Sequence, residues 1–167
     1  MNWDKIGDEE TWKDMEIKHI PKLSDIKKFD KFSIQQYYKI KITTEKKINV
    51  GLKFINGYGK QGNKADFNSL TTKNFKTALK KIYDDFAAEN PEFEGGIDFD
   101  PIIDGQDAPA SFEFEAFDEQ TNYLTVRGKG DGYEDFKVTI KIVEENGKYL
   151  IDGCGVVNIP KNKRAGR

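Results

Sequence analysis

Residues 136–151 read FKVTIKIVEENGKYLI, and this stretch decides the fold. Phe136, Val138, Ile140 and Ile142 alternate with Lys137, Thr139 and Lys141, the period of a strand with one dry face and one wet face. Asn146-Gly147 follows, a pair in which both residues tolerate positive φ, so a two-residue hairpin is expected. The returning strand is expected to run from Lys148 to about Ile159. Upstream, Phe112, Phe114 and Ala116 alternate with Glu113 and Glu115. Leu124 and Val126 likewise alternate with Tyr123, Thr125 and Arg127. Consecutive strands with short connections predict an antiparallel meander.

Further toward the N-terminus the period changes. Phe75, Ala78, Leu79, Ile82, Tyr83 and Phe86 recur at helical spacing, with Thr71-Thr72 to cap the helix and Asn90-Pro91 to stop it. Burying one helix face requires that spacing, so the stripe reads as core. From Thr43-Thr44, Ile48, Val50, Phe54, Ile55 and Tyr58 suggest another helix, ended by Gly57, Gly59 and Gly62. Between Gln36 and Ile42, Tyr38, Ile40 and Ile42 alternate with Lys39 and Lys41 and read as a short strand. Residues 1–33 form a segment of undefined role, with a short helix expected around 8–16 capped by Asp8. The reading is a single α+β domain over 34–160, with N-terminal helices packed against a strongly curved antiparallel sheet. A basic tail, 161–167, is expected to fray.

A chain of 167 residues is long enough to bury a core, and twelve Phe supply what the aliphatic side chains do not. One cysteine and one histidine exclude an internal disulfide, a multi-cysteine zinc site and most imidazole dyads. No catalytic residue, metal or cofactor is therefore assigned. No apolar run approaches the ~18 residues of a membrane span. The charged first twenty residues read as cytoplasmic; a removed leader would make the chain periplasmic or a lipoprotein.

Charge is the strongest functional signal. Residues 82–126 hold no Lys or Arg and thirteen carboxylates, and residues 1–90 sum to +5 against −7 for the remainder. Such a field attracts basic surfaces and repels nucleic acid, so a basic protein partner is expected. Within the stretch, Asp98, Asp100, Asp104, Gln106 and Asp107 form a compact acidic loop and the candidate binding site. Its oxygens suit calcium, but Ile102 stands where a ligand is needed, Pro101 stiffens the turn, and no glutamate closes it. The alternative is that these aspartates cap turns. Cys154, in Asp152-Gly153-Cys154-Gly155, reads as a buried structural thiol. Gly128-Lys129-Gly130-Asp131-Gly132 has the look of a phosphate loop but joins two strands, so it reads as a hairpin loop.

Four segments in order carry a resemblance. They are Phe54-Ile55-Asn56-Gly57-Tyr58, Leu70 to Lys76, the 98–107 loop, and Glu145 to Gly155. Together they resemble an uncharacterised bacterial family of the nuclear transport factor 2-like superfamily, over about 45–160. The resemblance implies a cone of helices wrapped in a bent sheet around a pocket. Members of that superfamily use the pocket for small molecules, for isomerase or dehydratase chemistry, or as an interaction surface, including in toxin-neutralising immunity proteins. Here Phe54, Tyr58, Phe112 and Tyr123 would be the lining candidates, and His19 lies outside the matched region. The leading expectation is a non-enzymatic binding protein, in its sharpest form an immunity protein. The alternatives are a small-molecule pocket and a weak isomerase or hydrolase.

Overall fold

The computed structural model describes residues 31–58, 64–92 and 96–166. The chain divides into two compact units, 1–43 and 44–167. The helix expected around 8–16 with its Asp8 cap, His19, and the readings of Gly59, Gly62 and Glu94 lie outside the described residues.

Helix α1 runs from Lys31 to Tyr58, so the strand expected at 36–42 is helix. Its buried positions are Tyr38 and Lys41 in the first unit, and Thr44, Ile48, Gly51, Phe54 and Ile55 in the second. They follow one another at helical spacing, whereas Ile40 and Ile42, which suggested the strand, are 51% and 40% exposed. The inward face is written in Lys41, Thr44 and Gly51, residues that a hydropathy pattern does not mark. Gly51 has a packing reason: a Cβ there would overlap Leu124 and lie against Ile142, so only glycine lets the helix backbone come this near the sheet.

A short helix α2, Lys64–Leu70, was not expected. Its Phe67 joins Phe54, Tyr58 and Phe75 in an aromatic cluster with ring centroids 5.9–6.3 Å apart. Helix α3, Lys73–Glu89, begins and ends where its caps predict. Thr72 Oγ1 accepts the Phe75 N–H at 3.0 Å, and the Asn90 N–H bonds Phe86 O. The expected core stripe holds mainly at the N-terminal end. Phe75 is fully buried, Ala78, Leu79 and Ile82 are partly buried, and Tyr83 is 40% exposed.

Four strands form an open antiparallel sheet in the order β1 (Ser111–Asp118), β2 (Tyr123–Lys129), β3 (Lys137–Glu145), β4 (Lys148–Cys154). Leu124, Val126, Val138, Ile140, Ile142 and Ile151 are buried with Ile48, Ile55 and Phe75 in one core. The Asn146-Gly147 turn has both φ angles positive, as expected. Residues 130–136 link β2 to β3, with Gly130 and Gly132 at positive φ, and open no helix. Alternation fails in β1, where a bulge between Phe114 and Ala116 turns Phe117 inward and leaves Ala116 exposed. β4 also stops short of Ile159. It ends at Cys154, and the chain reverses so that Cys154 and Val157 exchange N–H···O bonds of 2.9 Å. The basic tail is hydrogen-bonded to the domain as far as Ala165. Arg164 Nε donates to Ile159 O at 3.0 Å and the Ala165 N–H to Thr139 Oγ1 at 2.9 Å.

A second bulge lies between β3 and β4. Lys141 pairs with Gly153 and Ile142 with Ile151, leaving Asp152 as the extra residue. Asp152 accepts bonds from Thr72 Oγ1 (2.9 Å), Asn74 Nδ2 (3.1 Å) and Lys141 Nζ (2.9 Å), which ties the start of α3 to the sheet. Burial is the largest single influence and raises its pKa. The bonds from Lys141, Asn74 and Thr72, with the Lys141 charge, outweigh it and hold the carboxyl below the usual 3.8. A lowered folded pKa gives stability that is complete above 3.8 and lost as pH falls through the folded value. Asp152→Asn is expected to cost about 1–3 kcal/mol at neutral pH, tempered by the partial exposure of Lys141. Urea unfolding at pH 7 and pH 3 checks this: the difference from wild type should shrink at pH 3, and an equal difference at both would remove the ion pair from the explanation.

Candidate functional site

The end of α1, residues 100–103 and the segment entering β1 enclose a recess of about 80 Å³. Ile55, Ile103, Pro109 and Phe112 line it with apolar surface, and Tyr58 and Asp100, bonded to each other, with Asn56 and Ser111 add polar groups.

Asn56 fixes one wall. Its Nδ2 donates to Phe112 O at 3.0 Å while its Oδ1 accepts the Phe112 N–H at 2.7 Å. The side-chain amide thus pairs with β1 as a neighbouring peptide group would, satisfying edge groups of the sheet. Asp100 fixes the other wall. Its backbone exchanges bonds with Gly105, its Oδ1 accepts the Ile102 N–H at 2.8 Å, and its Oδ2 accepts the Tyr58 hydroxyl at 2.8 Å. Burial first, then the bond to Asp100 and its charge, push the Tyr58 pKa far up, so the hydroxyl stays a donor. Tyr58→Phe is expected to cost about 1–2 kcal/mol in denaturant unfolding, the value of a partly buried hydrogen bond to a charged group. Wild-type stability in that variant would mean the bond adds nothing.

The middle of the acidic loop is core. Pro101 and Ile102 are fully buried and Ile103 nearly so. Pro101 O accepts the Val156 N–H at 2.9 Å, and the Cys154 thiol donates to Ile102 O at 3.3 Å. Burial, then the Asp100 charge, raise the Cys154 pKa, which keeps this enclosed thiol protonated. The five candidate residues therefore separate. Asp98, Gln106 and Asp107 are exposed, Asp104 is half-buried at φ +53°, and Asp100 is half-buried in the recess wall. Of the four lining candidates, Tyr58 and Phe112 meet in the recess. Phe54 belongs to the aromatic cluster, and Tyr123 lies under the Lys163 ammonium, 6.0 Å from its ring centroid. The Ala108-Pro109-Ala110 wall was missed; three small residues after an acidic loop are a faint signal.

The twelve of these carboxylates that lie among the described residues are less one-sided in space than in sequence. Asp84 and Asp85 pair with Lys80 and Lys81 one helical turn back, both at 2.5 Å. Glu113 pairs with Arg127 at 2.7 Å, and Glu115 with Lys137 at 3.0 Å. The Lys137 bond is the main reason the Glu115 pKa is lowered. Asp118 accepts from Gln120 and Thr121 within its turn, and Glu119 from Thr44 at 2.8 Å. These partners come from outside the Lys/Arg-free stretch or from within the turn. Among the described residues, the side chains of Glu89, Glu92, Asp98, Asp104 and Asp107 have neither an ion pair nor a hydrogen-bond donor. Asp104 follows Ile103 of the recess, and Asp107 precedes Ala108.

Among the described residues, no three His, Cys, Asp or Glu side chains gather closely enough to hold a metal ion. No described helix is long and apolar enough to cross a membrane. Compared with models of protein families, with curated proteins and with solved structures, the chain matches none.

Proposed function

We propose that the chain is a non-enzymatic binding protein whose 98–107 loop engages a basic protein partner. One observation carries this: once internal pairings are accounted for, Asp98, Asp104 and Asp107 are left unpaired among the described residues, in the loop that bounds the recess. Opposed fields make such an association fast and salt-sensitive. In its sharpest form the protein is an immunity protein that blocks a cationic toxin, presenting carboxylates where the toxin's anionic substrate would sit. The fold is proposed to be nuclear transport factor 2-like, on the order of helices followed by a meander and on two bulges that add twist to the sheet.

The small-molecule reading has the Tyr58–Asp100 pair of the recess in its favour. At about 80 Å³ the space is well below the ~300–1,000 Å³ of ordinary ligand pockets and suits a few heavy atoms. An isomerase or hydrolase would have to use the same pair, whose hydroxyl is held protonated and bonded to the carboxylate.

The test is affinity capture from source cells with wild type and with Asp98→Lys/Asp104→Lys/Asp107→Lys, washed at low salt and at about three times physiological salt. Wild type should retain a basic protein at low salt and shed it at high salt, and the variant should retain none. Equal retention by the two chains would remove the acidic loop from the function.

A further inference from the structure

We propose that the recess receives one lysine side chain of that partner, with its ammonium against Asp100 Oδ2 and the Tyr58 hydroxyl oxygen; this rests on the basic-partner reading above. Size is the first argument. A volume of about 80 Å³ suits the outer methylenes and ammonium of one side chain. The walls suit such a stem, because Ile55, Ile103, Pro109 and Phe112 cover apolar carbon while Asp100 and Tyr58 add polar groups.

The acceptor pattern chooses lysine over arginine. Each Asp100 oxygen already holds one donor, the Ile102 N–H on Oδ1 and the Tyr58 O–H on Oδ2. A guanidinium fork would have to use the remaining lone pair of both carboxylate oxygens at once, along parallel directions. An ammonium is a point donor and needs only the remaining lone pair on Oδ2 and one on the Tyr58 oxygen. The Tyr58 proton points to Asp100, which leaves that oxygen free to accept. Asn56 is held against Phe112 through one N–H and its amide oxygen. Asp104 and Asp107, beside the lining residues in sequence, add a field that draws a cation in.

The test is an amide NMR titration of the full chain with n-butylammonium, n-butylguanidinium and 1-butanol at constant ionic strength. Saturable shifts are expected at Tyr58, Ile103, Ala108 and Phe112 with n-butylammonium, at least about 5-fold tighter than with the other two. They should vanish in Ala110→Leu, which fills the recess from an exposed position, and in Ala108→Leu, which does so independently. No saturable shifts there, equal responses to all three probes, or shifts that survive both plugs would overturn the proposal. Partner capture separates this proposal from the reading beneath it. If the plugged chains bind the basic partner as wild type does while the triple-lysine chain does not, the lysine recess falls and the acidic loop stands. If the triple-lysine chain also binds, the underlying reading fails.

Discussion

Gly155→Ala is expected to destabilise the fold by about 3–5 kcal/mol and to release residues 100–103 from the core. Gly155 has φ +60°, and a Cβ built there would run into the carbonyl oxygens of Pro101 and Ile102. Neither backbone group can swing aside cheaply. Pro101 O is bonded to the Val156 N–H and Ile102 O to the Cys154 thiol. Strain and collision therefore add, and they fall on the loop that holds Asp100 in the recess wall. Two readouts check this. Urea unfolding gives the energy, and native-state reaction of Cys154 with a thiol reagent reports release of the loop. In wild type that thiol is fully buried and should react only on unfolding. A variant of wild-type stability with an unreactive thiol would mean the loop does not pack on Gly155.

The second large effect lies at the start of α3. Phe75 is wholly buried and packs against Phe54 and Phe67, so Phe75→Ala should cost about 3–5 kcal/mol. Tyr83, on the same sequence stripe but 40% exposed, should cost no more than about 1 kcal/mol when truncated. Paired denaturation curves decide it. Equal losses would mean that the stripe is buried along its whole length.

That contrast shows what the sequence could convey. The β3 strand and its Asn146-Gly147 turn were legible because one face is dry and the turn needs positive φ at both positions. The caps of α3 were legible for a similarly local reason. The first half of α1 was not, because its buried positions at Lys41 and Thr44 are polar, while Ile40 and Ile42 are exposed. Bulges were also invisible. Nothing local marks Glu115 or Asp152 as the extra residue, yet the bulges decide that Phe117 turns inward and that Asp152 meets Thr72.

For the site, Tyr58, Asp100 and Phe112 were named from sequence, and the structure brings them together. Asn56 was not singled out, because its role depends on a strand 56 residues away. The acidic stretch was overstated for the same reason. Antiparallel pairing sets Arg127 opposite Glu113, and Lys137 reaches Glu115 from β3, an arrangement no linear count of charges contains. Of the five that stay unpaired among the described residues, Asp98, Asp104 and Asp107 lie in the loop that bounds the recess, and the functional proposal rests on them.

The most direct measurement of that proposal is zero-length carbodiimide cross-linking in a lysate of the source cells, with the joined residues located by mass spectrometry. The reagent activates carboxylates and joins them only to amines already in contact. Cross-links are expected from Asp98, Asp104 or Asp107 to lysines of a basic protein, lost at high salt and absent from the triple-lysine variant. Cross-links to a partner that arise only from carboxylates elsewhere, such as Glu144 and Glu145 beside the β3–β4 turn, would contradict it.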